Sequence, residues 1–352
     1  MNVPLPAPPA QDAAPSEFGF RIRCAESLRF VRSGGGEDTL EVVVAPQLRS
    51  RPQTAPLADW RLAGPDDALR GTLYGVGRAF EFWATDAGAY RIEPETGRIE
   101  MPESPDDVAR EQRLWGIPAA LCFMHRGDVP LHAAAVEIGA GAVVLAAPRQ
   151  HGKTTLALAF HRRGYRVLSE DLACCRLGQV PTLLPGPALL RVRPDVYDGH
   201  PPAGTHLVAA RPGRIWLAID QARSGSGAPV PIVAVVLLRE SAHRIVMAPT
   251  LPSVALRDLW ALSFRLPTHA GRAHTFSRLA RLAGALPIWN LYRPTRLGSL
   301  DATVERIVEV CRPGPRNRGE ASHTRNKSRR VAGACITRYR GRKLAVNQRR
   351  SA

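Results

Sequence analysis

The stretch Ala142-Val-Val-Leu-Ala-Ala-Pro-Arg-Gln-His-Gly-Lys-Thr-Thr-Leu-Ala-Leu-Ala-Phe-His-Arg-Arg163 decides how this chain is read. Its first five residues, 142–146, are a continuous apolar run, which predicts a buried strand. Residues 154–163 carry an apolar helical period, and Gly164 supplies the stop. Between them, residues 147–154 fit the phosphate-loop pattern in a relaxed form, with Ala147 where the first glycine usually stands. Strand, loop and helix in that order bring backbone amides and a helix N-terminus around one point, which is an anion nest. Gly152 lets the backbone approach a phosphate without a Cβ clash. Lys153 would set a compact ammonium between β- and γ-phosphates, Thr154 a hydroxyl toward Mg²⁺, and Thr155 would lie near the α-phosphate. Two departures stand out. Gln150 occupies a place where glycine is common, and His151 precedes Gly152, so bulk there would narrow the loop. An ordinary strand–helix turn is the structural alternative.

Composition sharpens this reading. The chain has 352 residues and 48 Lys+Arg, yet only three lysines: Lys153, Lys327 and Lys343. A chain this biased toward arginine that places a lysine at 153 marks a point where a planar guanidinium would not serve. The net charge of +17 is unevenly spread. Residues 312–352 hold 13 basic residues and one acid, Glu320, giving +12, and the rest of the chain is only mildly basic at +5. Apolar residues at 45% and charged residues at 22% exclude a wholly disordered or collagenous chain. The tail reads as disordered and is the one segment through which nucleic acid would bind. Tyr339 is its only aromatic residue, so phosphate contact is better supported than base stacking.

Outward from the loop, residues 131–138 and 142–146 flank a small glycine turn and predict a hairpin feeding the loop. Upstream, Ser104-Pro105-Asp106-Asp107 starts a helix, with Ser104 as its cap. Pro118 restarts or kinks that helix, which ends near Gly127. Leu40-Glu-Val-Val-Val44, Phe80-Glu-Phe-Trp83 and Tyr90-Arg-Ile92 predict a meander of short antiparallel strands. Downstream, residues 166–168, 214–219 and 231–238 read as strands, and 252–264, 274–284 and 300–311 as helices. The organisation expected is a flexible leader at 1–17, a β-rich region at 18–103, a nucleotide-binding domain at 104–311 and a basic tail at 312–352. The leader has no signal-peptide character, and the longest apolar run, 232–238, is far too short for a membrane span. Six cysteines show no metal-ligand spacing. Adjacent Cys174 and Cys175 read as reduced, packed thiols in preference to a strained disulfide, which points to a cytoplasmic location.

A phosphate loop needs a second metal ligand nearby. Glu170-Asp171, at the end of the strand after the helix, supplies one carboxylate for Mg²⁺ and another to take a proton from a hydroxyl nucleophile. A solvated acid pair capping the next turn is the alternative.

Leu131-His132…Gly141…Gly152-Lys153-Thr154…Arg163-Gly164-Tyr165-Arg166…Glu170-Asp171 resembles the catalytic domain of HPr kinase/phosphorylase and its small kinase-like relatives. Order and spacing match over residues 128–176. The later pattern, residues 185–195, 231–238, the two helices and Pro287-Ile-Trp-Asn-Leu-Tyr292, also looks like these relatives, so the resemblance covers about 128–311. The resemblance implies an α/β fold of the phosphoenolpyruvate-carboxykinase-like P-loop kind, preceded by a smaller β-rich region. It implies ATP and Mg²⁺ as cofactors. Ala147, Pro148, Arg149, Gln150, His151, Gly152, Lys153, Thr154 and Thr155 would surround the nucleotide, with Thr154 and Asp171 as metal ligands. Glu170 stands where the family has its catalytic Asp, and His132 and Lys153 would lie at the phosphates. The family's substrate-loop signature, an acid followed by Arg-Gly-Leu-Gly, is absent. Leu189-Leu-Arg-Val-Arg193 stands in that region, with Arg191 and Arg193 on one strand face, open to a phosphate, an acidic substrate or solvent. The function implied is Mg²⁺-assisted phosphoryl transfer from ATP to a serine-type hydroxyl of a protein, peptide or small molecule. A catalytically weak nucleotide-binding regulator is the alternative. Hexamers occur in the family, which leaves a homo-oligomer open.

Overall fold

The computed structural model describes residues 14–46, 50–61 and 68–312, all within one compact unit. Residues 1–13 of the expected leader, and the tail beyond Arg312, lie outside the described residues. The first sheet comprises β1 (Pro15–Glu17), β2 (Phe20–Cys24), β3 (Arg32–Ser33), β4 (Asp38–Ala45), β5 (Ala58–Arg61), β6 (Leu69–Val76), β7 (Ala79–Ala84), β8 (Gly88–Glu93) and β9 (Arg98–Pro102). Their order is β3-β1-β2-β4-β9-β8-β7-β6-β5. From β5 to β9 the meander is antiparallel, as turn residues between short alternating strands dictate. β4 departs from that expectation and pairs parallel with both β2 and β9. Tight turns enforce antiparallel pairing, but β4 reaches those two neighbours through longer excursions that contain other strands. β1 is a second correction: residues 15–17, expected in the leader, form a strand, and Ser16 and Glu17 are fully buried. A three-residue strand is too short to show a period in a Pro/Ala-rich segment.

Helices α1 (Asp107–Leu114) and α2 (Ile117–Arg126) follow as separate elements. Asp106, not Ser104, caps α1: its carboxylate accepts from Ala109 N at 3.0 Å, while Ser104 Oγ accepts from Asp106 N at 3.1 Å. Helix α2 brings Phe123 and Leu121 onto the first sheet beside Tyr90 and Ile92.

The second sheet carries β10 (Val129–Leu131), β11 (Ala133–Ile138) and β12 (Gly141–Ala146), then helix α3 (Lys153–Arg162), β13 (Val167–Ser169), β14 (Ala173–Arg176) and β15 (Thr182–Leu184). A small three-stranded sheet is inserted, made of β16 (Leu189–Val192), β17 (Thr205–Arg211) and β18 (Arg214–Ile219) in the order β16-β18-β17. After α4 (Gln221–Ser224) the chain returns as β19 (Val230–Glu240), β20 (Val246–Pro249), α5 (Pro252–Leu262), α6 (His269–Ala285), β21 (Ile288–Arg293) and α7 (Leu300–Cys311). β11 and β12 form the expected hairpin with a two-residue turn. β12 is buried along its whole length between β11 and β19, which is why its sequence is apolar on both faces.

Strand direction positions everything that follows. β12 and β13 each run antiparallel to β11, so they run parallel to each other. β19 is parallel to β12, and β21 is parallel to β19. The carboxyl ends of β13, β12, β19 and β21 therefore meet at one edge, where β11 begins. In open α/β sheets that edge is where ligands bind.

Arg32 of β3 ties the first sheet to the second. Its side chain is fully buried, with Nε donating to Gly186 O at 2.6 Å, Nη2 to Val167 O at 3.0 Å, and Nη1 to Ser224 O. Its backbone N–H donates to Glu17 Oε1 at 2.9 Å. Burial lowers the Arg32 guanidinium to about 10 and raises the Glu17 carboxyl well above its ordinary range. The grip falls on β13, the strand that Glu170 and Asp171 directly follow.

Candidate functional site

Residues 147–152 turn from β12 into α3, and two of them carry the turn in left-handed backbone: Gln150 at φ 64° and Gly152 at φ 75°. The backbone at Gly152 favours glycine, and a Cβ there would sit 2.5 Å from Arg293 Nη2 and push that guanidinium away from the loop. Gln150 takes the left-handed form without that freedom, at a cost on the order of 1–2 kcal/mol. Its side chain is exposed, as are those of Pro148 and Arg149, so the bulk expected to narrow the loop lies in solvent. His151 Nδ1 is 2.8 Å from Arg149 O across the same turn. Thr155 is half-buried in the first turn of α3.

Lys153 folds back into the loop. Its Nζ donates to Ala147 O and Pro148 O, both at 2.9 Å, and lies 2.9 Å from His132 Nε2. His132 sits at the break between β10 and β11, where the single strand expected over 131–138 splits to pair with β14 on one side and β12 on the other. That break turns the imidazole toward the loop. With Nε2 accepting from Lys153, Nδ1 carries the proton and donates to Asp171 O at 3.2 Å, with Asp171 Oδ1 at 3.3 Å. Burial draws the Lys153 ammonium from its ordinary 10.5 down to about 8, against the pull of Asp171 and Glu170. Burial likewise lowers His132, which favours the neutral imidazole that accepts this hydrogen bond.

The acid pair closes the site from β13. Thr154 Oγ1 donates to Glu170 Oε1, and Arg191 joins both acids: its Nε reaches Glu170 Oε2 at 2.9 Å and its Nη2 reaches Asp171 Oδ2 at 2.6 Å. Glu170 is 7% exposed, whereas the Asp171 side chain keeps 49% of its surface. Burial works against ionisation of Asp171, but Arg191, then His132 and Lys153, outweigh it and hold the carboxyl well below its usual range. The same acids raise Arg191 above its ordinary value despite burial.

The structure therefore brings Lys153, Thr154, His132, Glu170 and Asp171 into one hydrogen-bonded cluster. Arg191 belongs to it, but not as expected: its half-buried guanidinium is engaged by the chain's own acids. Arg193 stays out. It lies beyond β16, is exposed, and pairs with Asp195 at 2.6 Å. Arg293 is a member that the sequence reading missed. Buried at the end of β21, it donates from Nη2 to His151 O at 2.9 Å and from Nη1 to Pro294 O at 3.2 Å, bracing the loop. It stands one residue beyond the Pro287–Tyr292 motif, and only the parallel pairing of β21 with β19 carries it to the loop.

Among the described residues, no group of three or more His, Cys, Asp or Glu side chains forms a metal site by itself. Thr154, Glu170 and Asp171 offer oxygen donors only, a set that suits Mg²⁺ arriving with phosphate oxygens and water. Cys174 and Cys175 are free and buried. No helix among the described residues is long and apolar enough to cross a membrane.

No protein-family model matches the chain, and no curated protein is similar to it. Among solved structures, an HPr(Ser) kinase/phosphatase from Coxiella burnetii is similar over 51% of this chain and 96% of its own, at 12% identity and a TM-score of 0.28. That likeness is too low to carry an argument.

Proposed function

We propose that the chain is an ATP-dependent phosphotransferase of the HPr-kinase-like kind, built on a phosphoenolpyruvate-carboxykinase-like P-loop domain. In this reading it acts in the cytoplasm and transfers the γ-phosphoryl group to a serine-type hydroxyl of a protein, peptide or small molecule. One observation carries the proposal: where a loop with two left-handed residues enters α3, a buried lysine ammonium is linked through His132 to Asp171, and the next residue's hydroxyl donates to Glu170. A cation with a depressed proton affinity, held against backbone carbonyls, is a poor structural choice and a good receptor for phosphate. Lys153 and the first turn of α3 bind the β- and γ-phosphates. His132 fixes the ammonium, and Arg293 fixes the loop through the His151 carbonyl. Thr154 and the Glu170–Asp171 pair would hold Mg²⁺, which when bound neutralises charge on the transferring phosphoryl group. Glu170 contacts Thr154, while Asp171 faces solvent beside His132. Of the two acids that would hold the metal, Asp171 is thus the one nearer the side from which a hydroxyl acceptor approaches and the one placed to take its proton, the reverse of the division that the resemblance implies. Catalysis is then chiefly positioning and charge neutralisation.

The test is incubation with γ-labelled ATP, Mg²⁺ and hydroxyl acceptors, with Lys153→Ala in parallel. Transfer that is lost in the variant supports the proposal, and ATP binding that survives Lys153→Ala refutes it. A second reading, nucleotide binding without efficient transfer, is favoured by one observation: both Glu170 oxygens are already taken, by Thr154 and Arg191. Single-turnover assays separate the two, because that reading requires bound ATP with no transferred label.

A further inference from the structure

We infer that Arg191 is a built-in cation that competes with the divalent metal for Glu170 and Asp171, so that the site accepts a metal only as the guanidinium is displaced. The inference rests on the reading that these two acids hold the metal. An inventory of the carboxylate oxygens motivates it. Glu170 Oε1 accepts from Thr154 and Oε2 from Arg191 Nε. Asp171 Oδ1 lies 3.3 Å from His132 Nδ1, and Oδ2 lies 2.6 Å from Arg191 Nη2. All four oxygens have protein partners, and Arg191 supplies half of those contacts with a single planar group. Adjacent carboxylates at a strand end repel each other, and the guanidinium supplies the neutralising charge that a metal would otherwise bring.

The placement of Arg191 makes it separable from the acids. It projects from β16, whose partner is β18 in the three-stranded insert, with Arg191 opposite Trp216. The acids sit on the end of β13 in the main sheet. The two halves of the contact thus come from different sheets. A guanidinium does not surrender its proton in a protein, so it leaves the carboxylates only by moving. Its charge-matched destination is phosphate, for which its forked donors are well shaped. Glu170 and Asp171 would then hold the metal only when nucleotide phosphate is present to receive the Arg191 guanidinium. The consequence is that the nucleotide-free protein binds divalent cations weakly. In the sequence, Arg191 belongs to Leu189-Leu-Arg-Val-Arg193, the segment that stands where an acid followed by Arg-Gly-Leu-Gly is absent.

The experiment is titration of the full-length, nucleotide-free protein with Mn²⁺, followed by electron paramagnetic resonance of the free ion. Arg191→Met leaves the two acids bare and raises Mn²⁺ affinity by about tenfold or more, while Arg191→Lys stays close to the parent protein. Adding Glu170→Gln and Asp171→Asn to Arg191→Met abolishes the gain. If Arg191→Met does not fold, as circular dichroism would show, Arg191→Gln takes its place with the same expectation. Equal or weaker Mn²⁺ binding in the folded uncharged variant overturns the inference. ATP binding measured separately keeps the two questions apart: its absence from the parent protein defeats the proposed function and leaves the Mn²⁺ comparison readable.

Discussion

Replacing Lys153 by Met removes an ammonium that the fold holds at a cost. The lysine is 6% exposed, and its amine meets two carbonyls and one imidazole. Burial takes its pKa from 10.5 to about 8, and that gap corresponds to about 3 kcal/mol by which the folded protein disfavours the charged amine. Between pH 8 and 10.5 the unfolded chain still holds this proton while the folded chain has lost it. Unfolding therefore takes up a proton in that window, and stability rises with pH. Below pH 8 both states carry the proton and the penalty is present in full. Lys153→Met has no such window. The stability of the parent protein relative to the variant should thus increase by about 3 kcal/mol between about pH 7.5 and 10.5, with titrations shared by both cancelling. Urea unfolding at three pH values across that range measures it, and the difference in midpoint should move by roughly 1 M. The same titrations with excess ATP should stabilise only the parent, by about 2.7 kcal/mol at a hundredfold excess over Kd. Parallel pH curves for the two proteins would refute the claim that Lys153 is held at electrostatic cost.

Further outcomes follow from the same geometry. Gln150→Gly should stabilise the protein by about 1 kcal/mol in urea unfolding, because glycine removes the left-handed strain at φ 64°. Thr154→Val keeps the shape but loses the hydroxyl that contacts Glu170; isothermal titration should show a weaker benefit of Mg²⁺ on ATP binding, with metal-free ATP affinity nearly unchanged. Arg32→Leu strands the Gly186, Val167 and Ser224 carbonyls and leaves Glu17 buried without its countercharge; unfolding should show a loss of about 3–5 kcal/mol. Residues 313–352 carry most of the net charge, and their removal tests the expectation that nucleic acid binds there: filter binding at two salt concentrations should detect salt-sensitive DNA binding in the full chain and none in the shortened one, with ATP affinity intact.

The loop and its flanks were legible because each element announces itself locally. The run Ala142-Val-Val-Leu-Ala146 is apolar on both faces, α3 stops where Gly164 stands, and α7 spans residues 300–311 as its period predicts. Long-range pairing was not legible. Alternation in Leu40-Glu-Val-Val-Val44 shows that a strand exists but is indifferent to its direction, so the parallel pairing of β4 could not be read. The cluster of His132, Lys153, Glu170 and Asp171 was expected from motif order. Arg293 was not, because it reaches the loop only through the β19–β21 register. Arg32 was hidden for a similar reason: a fully buried arginine leaves no periodic trace, and its acid partner, Glu17, falls in a segment that reads as a leader.

The scarcity of lysine gains a physical explanation from this arrangement. The site uses arginine wherever the partner is flat or forked: Arg191 spans two carboxylates, and Arg293 bridges the carbonyls of His151 and Pro294. At residue 153 the partners are different. Two carbonyl oxygens and an imidazole nitrogen converge on one point, each 2.9 Å away. A single nitrogen with three divergent protons satisfies that arrangement, whereas a planar guanidinium of five donors leaves some of them unpaired in a buried loop. A guanidinium also keeps its charge at every accessible pH, whereas an amine drawn to about 8 titrates within reach of neutral pH, so a nearby anion can shift its protonation. The chain's one lysine before residue 327 thus stands where three acceptors converge on one point and a compact cation meets them all.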